Sequence, residues 1–206
     1  MNIAVIGGGF FGISSAIKIK EKFPNANISI YEMRDDLLKG TSGKNQFRWH
    51  KGYHYPRSQK TISECKNSYK EFNKYFFKSA IPSDNYYAIS KNDSLTTFDK
   101  YLEILKKNKL AYKIVNNSLL NKEAIEGIIK VDEDLISISK ARAIAHRHLI
   151  NLDINLFFNT KITLNETFKK KFDYIIVSTY ENNNNFKKIK TKIKFQLVEK
   201  IIVKTP

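Results

Sequence analysis

Two groups of residues have the types and spacing for chemistry. Gly7, Gly9 and Gly12 form a G-x-G-x-x-G pattern, and Glu32 follows twenty positions after the last of them. Three glycines so close together call for a tight turn or a close backbone approach, because glycine inside a strand or helix otherwise costs roughly 0.5–1 kcal/mol against alanine. A turn of this kind brings a pyrophosphate against backbone N–H groups at a helix start, and an acid at the end of the next strand accepts hydrogen bonds from a ribose diol while repelling a 2′-phosphate. The second group is His50, His54, Tyr55 and Arg57. Imidazoles change charge near neutral pH, and an Arg fork grips a carboxylate with two parallel hydrogen bonds.

The flanking elements fit those tasks. Ile3–Ile6 reads as a short buried strand, Phe10 onward as a helix with Phe10, Ile13, Ile17 and Phe23 at helical spacing, and Ile28–Tyr31 as a second strand. Strand, turn, helix and strand are the context that separates a dinucleotide fingerprint from chance. A glycine-rich hairpin or a secretory leader would read differently, since a leader needs a basic start and an unbroken apolar stretch. The stretch 33–58 then runs without a clear period and is too long for a mere connector.

Ser58 is placed to cap a helix reaching about Lys78, with Ile62, Tyr69, Phe72, Phe76 and Phe77 near one face. Strand Tyr86–Ile89, a helix over Ser94–Lys107 (Leu95, Phe98, Leu102, Leu105) and strand Tyr112–Val115 follow. Next come Ser118 with a short helix, a β-run at Ile128–Val131 and a helix over Ser139–Leu149. Ile154–Phe158 and Phe172–Val177 read as strands joined by a polar hairpin or loop, and the segment 192–206 is again strand-like. The expected fold is α/β: a Rossmann-like domain with a parallel sheet, interrupted by an inserted or partial mixed α+β region.

The chain has 206 residues, room for one sizeable domain and part of another. Its formal charge of +16 raises polyanions as partners. The excess is nearly all Lys, scattered among Asn and Ile as AT-rich codons favour, and the runs Lys169–Lys171 and Lys187–Lys194 lack the interleaved aromatics of a single-strand binder. No specific nucleic-acid partner is expected. Cys65 is the single cysteine, which excludes an intrachain disulfide and a cysteine-based metal site. His50 and His54 lack a third ligand at useful spacing, so no metal is expected. With no apolar run of about 18 residues, a cytoplasmic location without a membrane span is the expectation.

The loop "GTSGKNQFRWHKGYHYPRS" (Gly40–Ser58) sharpens the class. A glycine loop just past the acidic strand end, then Ser42, Asn45 and His50-x-Gly52-x-His54, resembles the FAD-dependent D-amino-acid oxidase-like superfamily, which includes glycine and sarcosine oxidases. "VDEDLISISKARAIAHRHL" (Val131–Leu149) and "FDYIIVST" (Phe172–Thr179) resemble later segments of that superfamily, although Tyr180 stands where the family usually has Gly. The resemblance implies FAD as cofactor. Gly7, Gly9 and Gly12 would face its pyrophosphate, Glu32 the adenosine ribose, and Arg34 the adenine or a phosphate. Ser42 and Asn45 would reach the pyrophosphate and ribityl chain.

It further implies that His50, His54 and Arg57 lie nearest the chemistry, lining the isoalloxazine, stabilising a reduced anionic flavin, or holding a substrate carboxylate. Trp49 and Tyr53 read as packing residues. The implied reaction moves hydride from a carbon bearing an amine or hydroxyl, on a small-molecule substrate, to flavin N5. A UDP-galactopyranose mutase-like flavoenzyme, an NAD-binding Rossmann protein, and a non-catalytic nucleotide- or polyanion-binding module stay open as alternatives.

On this reading 1–80 begins the FAD-binding domain, 81–135 is an inserted substrate-side region, 136–190 returns to the FAD-binding domain, and 191–206 opens a substrate-domain strand. Family members continue beyond that strand. A further C-terminal region or a partner chain is therefore expected.

Overall fold

A computed structural model describes residues 1–45, 47–116, 120–180 and 182–183. In chain order its elements are β1 (Asn2–Ile6), α1 (Phe10–Lys22), β2 (Asn27–Tyr31), α2 (Gln59–Phe76), β3 (Ala80–Ile81), β4 (Asn85–Ser90) and α3 (Phe98–Lys107). They continue with β5 (Tyr112–Val115), β6 (Ile125–Val131), β7 (Leu135–Ile136), α4 (Ile138–Asn151), β8 (Asn155–Phe157), α5 (Glu166–Lys169) and β9 (Tyr174–Val177). The chain divides into two compact units, 1–36 with 152–206, and 37–151. The expected segment boundaries after 80 and after 135 both fall inside the second unit.

In the first unit a sheet of order β8-β2-β1-β9 pairs parallel throughout. Parallel strands that are buried on both faces read as continuous apolar runs, and Ile3, Ala4, Val5 and Ile6 are all buried. Helix α1 crosses from β1 to β2 and buries Ile13, Ala16 and Ile17. Phe23, expected on that face, ends the helix instead and is half exposed, while Phe10 is only partly covered. Burying Ala16 leaves the sheet side of the helix narrow, so its ends lie outside the contact.

The sheet returns to β8 and β9 after the second unit, as the late apolar runs implied. The expected polar hairpin between them contains a short helix, α5, capped by Asn165. The face of Tyr31 is closed by Phe157, stacked at 4.9 Å, with Phe168 and Phe172 edge-on at 5.5 and 6.0 Å.

In the second unit an antiparallel sheet of order β4-β6-β5 carries the core. Tyr101 and Leu105 of α3 pack with Ile129 and Val131 of β6 and with Tyr53 and Ile62. Gly127 admits the helix, since a Cβ there would run into the Phe98 ring. Ser58 caps α2 as expected, its hydroxyl accepting the Thr61 N–H at 3.2 Å.

Two helical faces differ from the expected ones. Tyr75 is buried and Phe77 is 55% exposed, because α2 tightens into a 3₁₀ turn at Phe77–Ser79 that swings Phe77 outward. Helix α3 starts at Phe98 under a Thr97 cap rather than at Ser94, whose hydroxyl closes a local turn with Thr96 and leaves Leu95 75% exposed. Ser118 and the segment 191–206 lie outside the described residues. The short helix expected after Ser118 is a turn at 122–124 where described.

Candidate functional site

In the first unit the glycine turn joins β1 to α1 at the carboxyl ends of β1, β2 and β9. From β1 the sheet order runs outward through β2 to β8, and the chain then crosses back to β9 on the far side of β1; open parallel sheets bind ligands at such a reversal of strand order. Gly7 has φ +110°, a conformation that side chains rarely adopt, and a Cβ would strike the Ser178 carbonyl of the strand-end loop beside it. A Cβ on Gly12 would strike the Gly7 carbonyl, so this glycine lets α1 pack tightly against its own turn. Gly9 is the helix N-cap, with extended backbone, no side-chain cap and no acid in the first turn. A helix start without an acidic side chain offers its dipole and N–H groups to an anion.

Glu32 is 8% exposed at the end of β2. One carboxylate oxygen accepts the Gly8 N–H at 2.7 Å and the other the Arg34 N–H at 2.9 Å. The acid therefore holds the glycine turn and its own loop together. A carboxylate has about four lone-pair positions, so two backbone donors leave capacity for a diol. The Arg34 side chain is exposed, and its carbonyl accepts the Asn159 N–H at 2.9 Å.

The second unit contains the remaining expected residues. Ser42 sits half-buried in the 3₁₀ turn Thr41–Gly43. Asn45 is exposed and spends its carbonyl oxygen on the Phe47 N–H, at 2.7 Å. Between the two histidines Gly52 takes φ +111°, and the turn it starts, with Tyr55 N–H on the Gly52 carbonyl, folds the loop back. The ring centroids of His50 and His54 thereby lie 6.2 Å apart, each beside Tyr55. Arg57 is exposed and has no hydrogen bond or ion pair among the described residues. Trp49 and Tyr53 are buried as packing residues, Trp49 against Tyr69 and Phe72.

A carboxylate that the motif reading passed over lies beneath this loop. The Glu133 side chain is fully buried; it accepts the Lys51 N–H at 2.7 Å and the Tyr87 hydroxyl at 3.0 Å. Its backbone carbonyl takes the Asn85 carboxamide, whose oxygen in turn accepts from Arg48 at 3.0 Å. The Arg48 guanidinium lies over the Tyr87 ring at 4.7 Å. The signal was present as alternation: Ile129 and Val131 point into the core, and Glu133 is next in that period of two.

Burial and the nearby carboxylate set the electrostatics. Burial, then the Glu133 charge, pushes the Tyr87 phenol far above its ordinary range, and Tyr53 rises to about 12 through burial. Burial also pulls the His50 imidazole below its ordinary value; Glu133 opposes this, and the charges of His54 and Arg48 reinforce it. Among the described residues, no group of three or more His, Cys, Asp or Glu is placed to hold a metal ion. No described helix is long and apolar enough to cross a membrane.

A parallel sheet with a glycine turn at its switch point and a buried acid tied to that turn defines a Rossmann-like α/β protein. Comparison with known proteins narrows the class. The family described as DAO, FAD dependent oxidoreductase, matches residues 2–141, and the chain belongs to that family, whose cofactor is FAD.

Among curated relatives it is 29% identical over 143 residues to the FAD-dependent monooxygenase FPY4 of Fusarium mangiferae, a match covering 69% of this chain and 38% of that protein. Its fold is similar to that of L-proline dehydrogenase from P. horikoshii, with TM-score 0.62, 16% identity, and coverage of 79% of this chain and 45% of the other. It is also similar to that of glycine oxidase from Geobacillus kaustophilus, with TM-score 0.58, 12% identity, and coverage of 78% and 47%. The matches thus cover less than half of each of these relatives.

Proposed function

We propose that this chain is the FAD-binding portion of an oxidoreductase acting on a small molecule whose reacting carbon bears an amine or a hydroxyl. The observation that carries this reading is the Gly7–Gly12 turn tied through Gly8 to the buried Glu32, in a chain of the FAD-dependent oxidoreductase family. Bound FAD supplies the two-electron acceptor for that carbon. Gly7, Gly9 and Gly12 keep the turn and helix start open to the pyrophosphate, and Glu32 accepts the adenosine ribose with its remaining lone pairs. Arg34 takes the adenine or a phosphate.

Ser42 and Asn45 bring small hydrogen-bonding groups to the phosphate and ribityl oxygens. His50 and His54 bind and orient the substrate, and Arg57, exposed and uncommitted among the described residues, grips a substrate carboxylate. In functional terms 1–80 and 136–190 serve the cofactor, 81–135 serves the substrate side, and 191–206 leads toward a further C-terminal region or a partner chain. Abundant Lys with a lone cysteine fits a reducing, cytoplasmic setting.

The test is titration of the purified chain with FAD, read by flavin fluorescence and by absorbance after desalting. Retention of flavin by the parent chain, and its loss in Glu32→Ala and Gly9→Val, is the expected result. A chain that ignores FAD, or variants that bind it equally well, would refute the reading.

A further inference from the structure

The buried carboxylate beneath the histidine loop has a task beyond holding that loop. His50 Nδ1 is buried, has no hydrogen-bond partner, and lies 3.9 Å from Glu133 Oε1. The His50 side chain is 31% exposed, whereas the Glu133 side chain is fully covered. A neutral imidazole carries one proton, on either Nδ1 or Nε2. With the proton on Nε2, the Nδ1 lone pair would face a fully buried carboxylate, two acceptors opposed in a medium that screens poorly. With the proton on Nδ1, an N–H faces the same oxygen across a gap that a small ring rotation or one water closes.

We propose that Glu133 is a positioning residue that keeps the proton of His50 on Nδ1 and so leaves Nε2, the other ring nitrogen, as a lone-pair acceptor. Glu133 suits the task because its other contacts are donors to it: the Lys51 N–H fixes the oxygen that faces His50, and the Tyr87 hydroxyl fixes the other. Both lock the carboxylate in place. The groups that face His50 are Glu133, His54, Arg48 and Tyr55, with Tyr87 on β4 between Glu133 and His54. Of the charged ones, only Glu133 favours a protonated ring.

The consequence for the proposed reaction, which rests on the reading that His50 meets the substrate, is that His50 offers Nε2 to accept a proton or a donor from the substrate.

The experiment is nitrogen NMR of the full 206-residue chain carrying ¹⁵N-histidine, which has four histidines to resolve, with His50 assigned from a His50→Gln sample. In the parent chain above neutral pH, His50 is expected as the Nδ1–H tautomer. In Glu133→Gln the preference is expected to be lost and the His50 titration to move to lower pH, since the charge that favoured protonation is gone. A parent His50 found as the Nε2–H tautomer overturns the proposal without any variant, as does a Glu133→Gln spectrum with His50 unchanged. Because the tautomer is read without flavin or substrate, its failure is distinct from failure of the oxidoreductase reading, which FAD binding decides.

Discussion

The glycine turn of the first unit and the histidine loop of the second do comparable work with opposite materials. The turn is built from backbone: absent side chains, a helix start, and one acid whose two oxygens take main-chain N–H groups. The loop is built from side chains, with buried Glu133 and Asn85 and half-buried Tyr87 and Arg48 linked by hydrogen bonds and ring contacts under His50. A backbone site tolerates no added atoms. A side-chain site tolerates no lost partner.

That contrast can be broken first at Gly12. Gly12→Val drives a branched side chain into the Gly7 carbonyl, where nothing flexible can yield, and is expected to destabilise the chain by about 3 kcal/mol or more in urea unfolding, with loss of FAD retention. Milder damage would mean that the helix can shift away from its turn. Next comes Glu133→Ala, which removes a partner instead of adding bulk. It strands the Lys51 N–H and the Tyr87 hydroxyl in a buried site and is expected to cost about 2–3 kcal/mol, with Tyr87→Phe in the same background recovering part of the loss.

Glu32→Gln sharpens the other side. It retains the size and an acceptor oxygen but loses the charge-assisted bonds, so FAD affinity is expected to fall roughly tenfold in a fluorescence titration, in proportion to about 1.5 kcal/mol.

The pH dependence separates the two regions further. His50 has its folded-state pKa lowered, chiefly by burial, so below the ordinary histidine value the unfolded chain takes up a proton that the folded chain refuses. Its contribution is therefore full above pH of about 6.5 and declines as pH falls through the lowered folded value. Urea midpoints measured from pH 7.5 down to 5 are expected to fall less steeply in His50→Gln than in the parent chain. An identical slope would remove His50 from the buried network.

The smallest effect belongs to the end of β9. Tyr180 holds φ +53°, in the left-handed region that favours glycine, and Thr179 is pinned beside it by its N–H and hydroxyl donating to Asn183 Oδ1, both at 2.9 Å. Tyr180→Gly is expected to stabilise the chain by about 1 kcal/mol in thermal melting, by relieving the left-handed strain. Destabilisation would mean that the tyrosine ring makes a compensating contact.

Much of the first unit was legible because its constraints are local. Glycine spacing, an apolar run and an acid twenty positions on are all written within one short stretch, and parallel pairing of β1 with β2 follows from the helical crossover that joins them. The second unit was legible in its elements, with β5 found at Tyr112–Val115 and Ser58 at its cap, but not in its site. Glu133 stands in "VDEDL" between two other acids, and the alternation running inward through Ile129 and Val131 is all that sets it apart from them. Asp132 is exposed and pairs with Lys51 Nζ at 2.7 Å, whereas the next residue past the end of β6, Glu133, is buried.

The sequence by itself determined the turn, its helix, the acid that follows β2 and the family, because a tight turn made of backbone requires particular residue types at fixed spacing. Only the tertiary structure decided which acid is buried, which phenol meets it and which histidine nitrogen faces it. Those depend on the register of β4 against β6 and on a loop folded back at Gly52, which bring together side chains more than eighty positions apart in the chain.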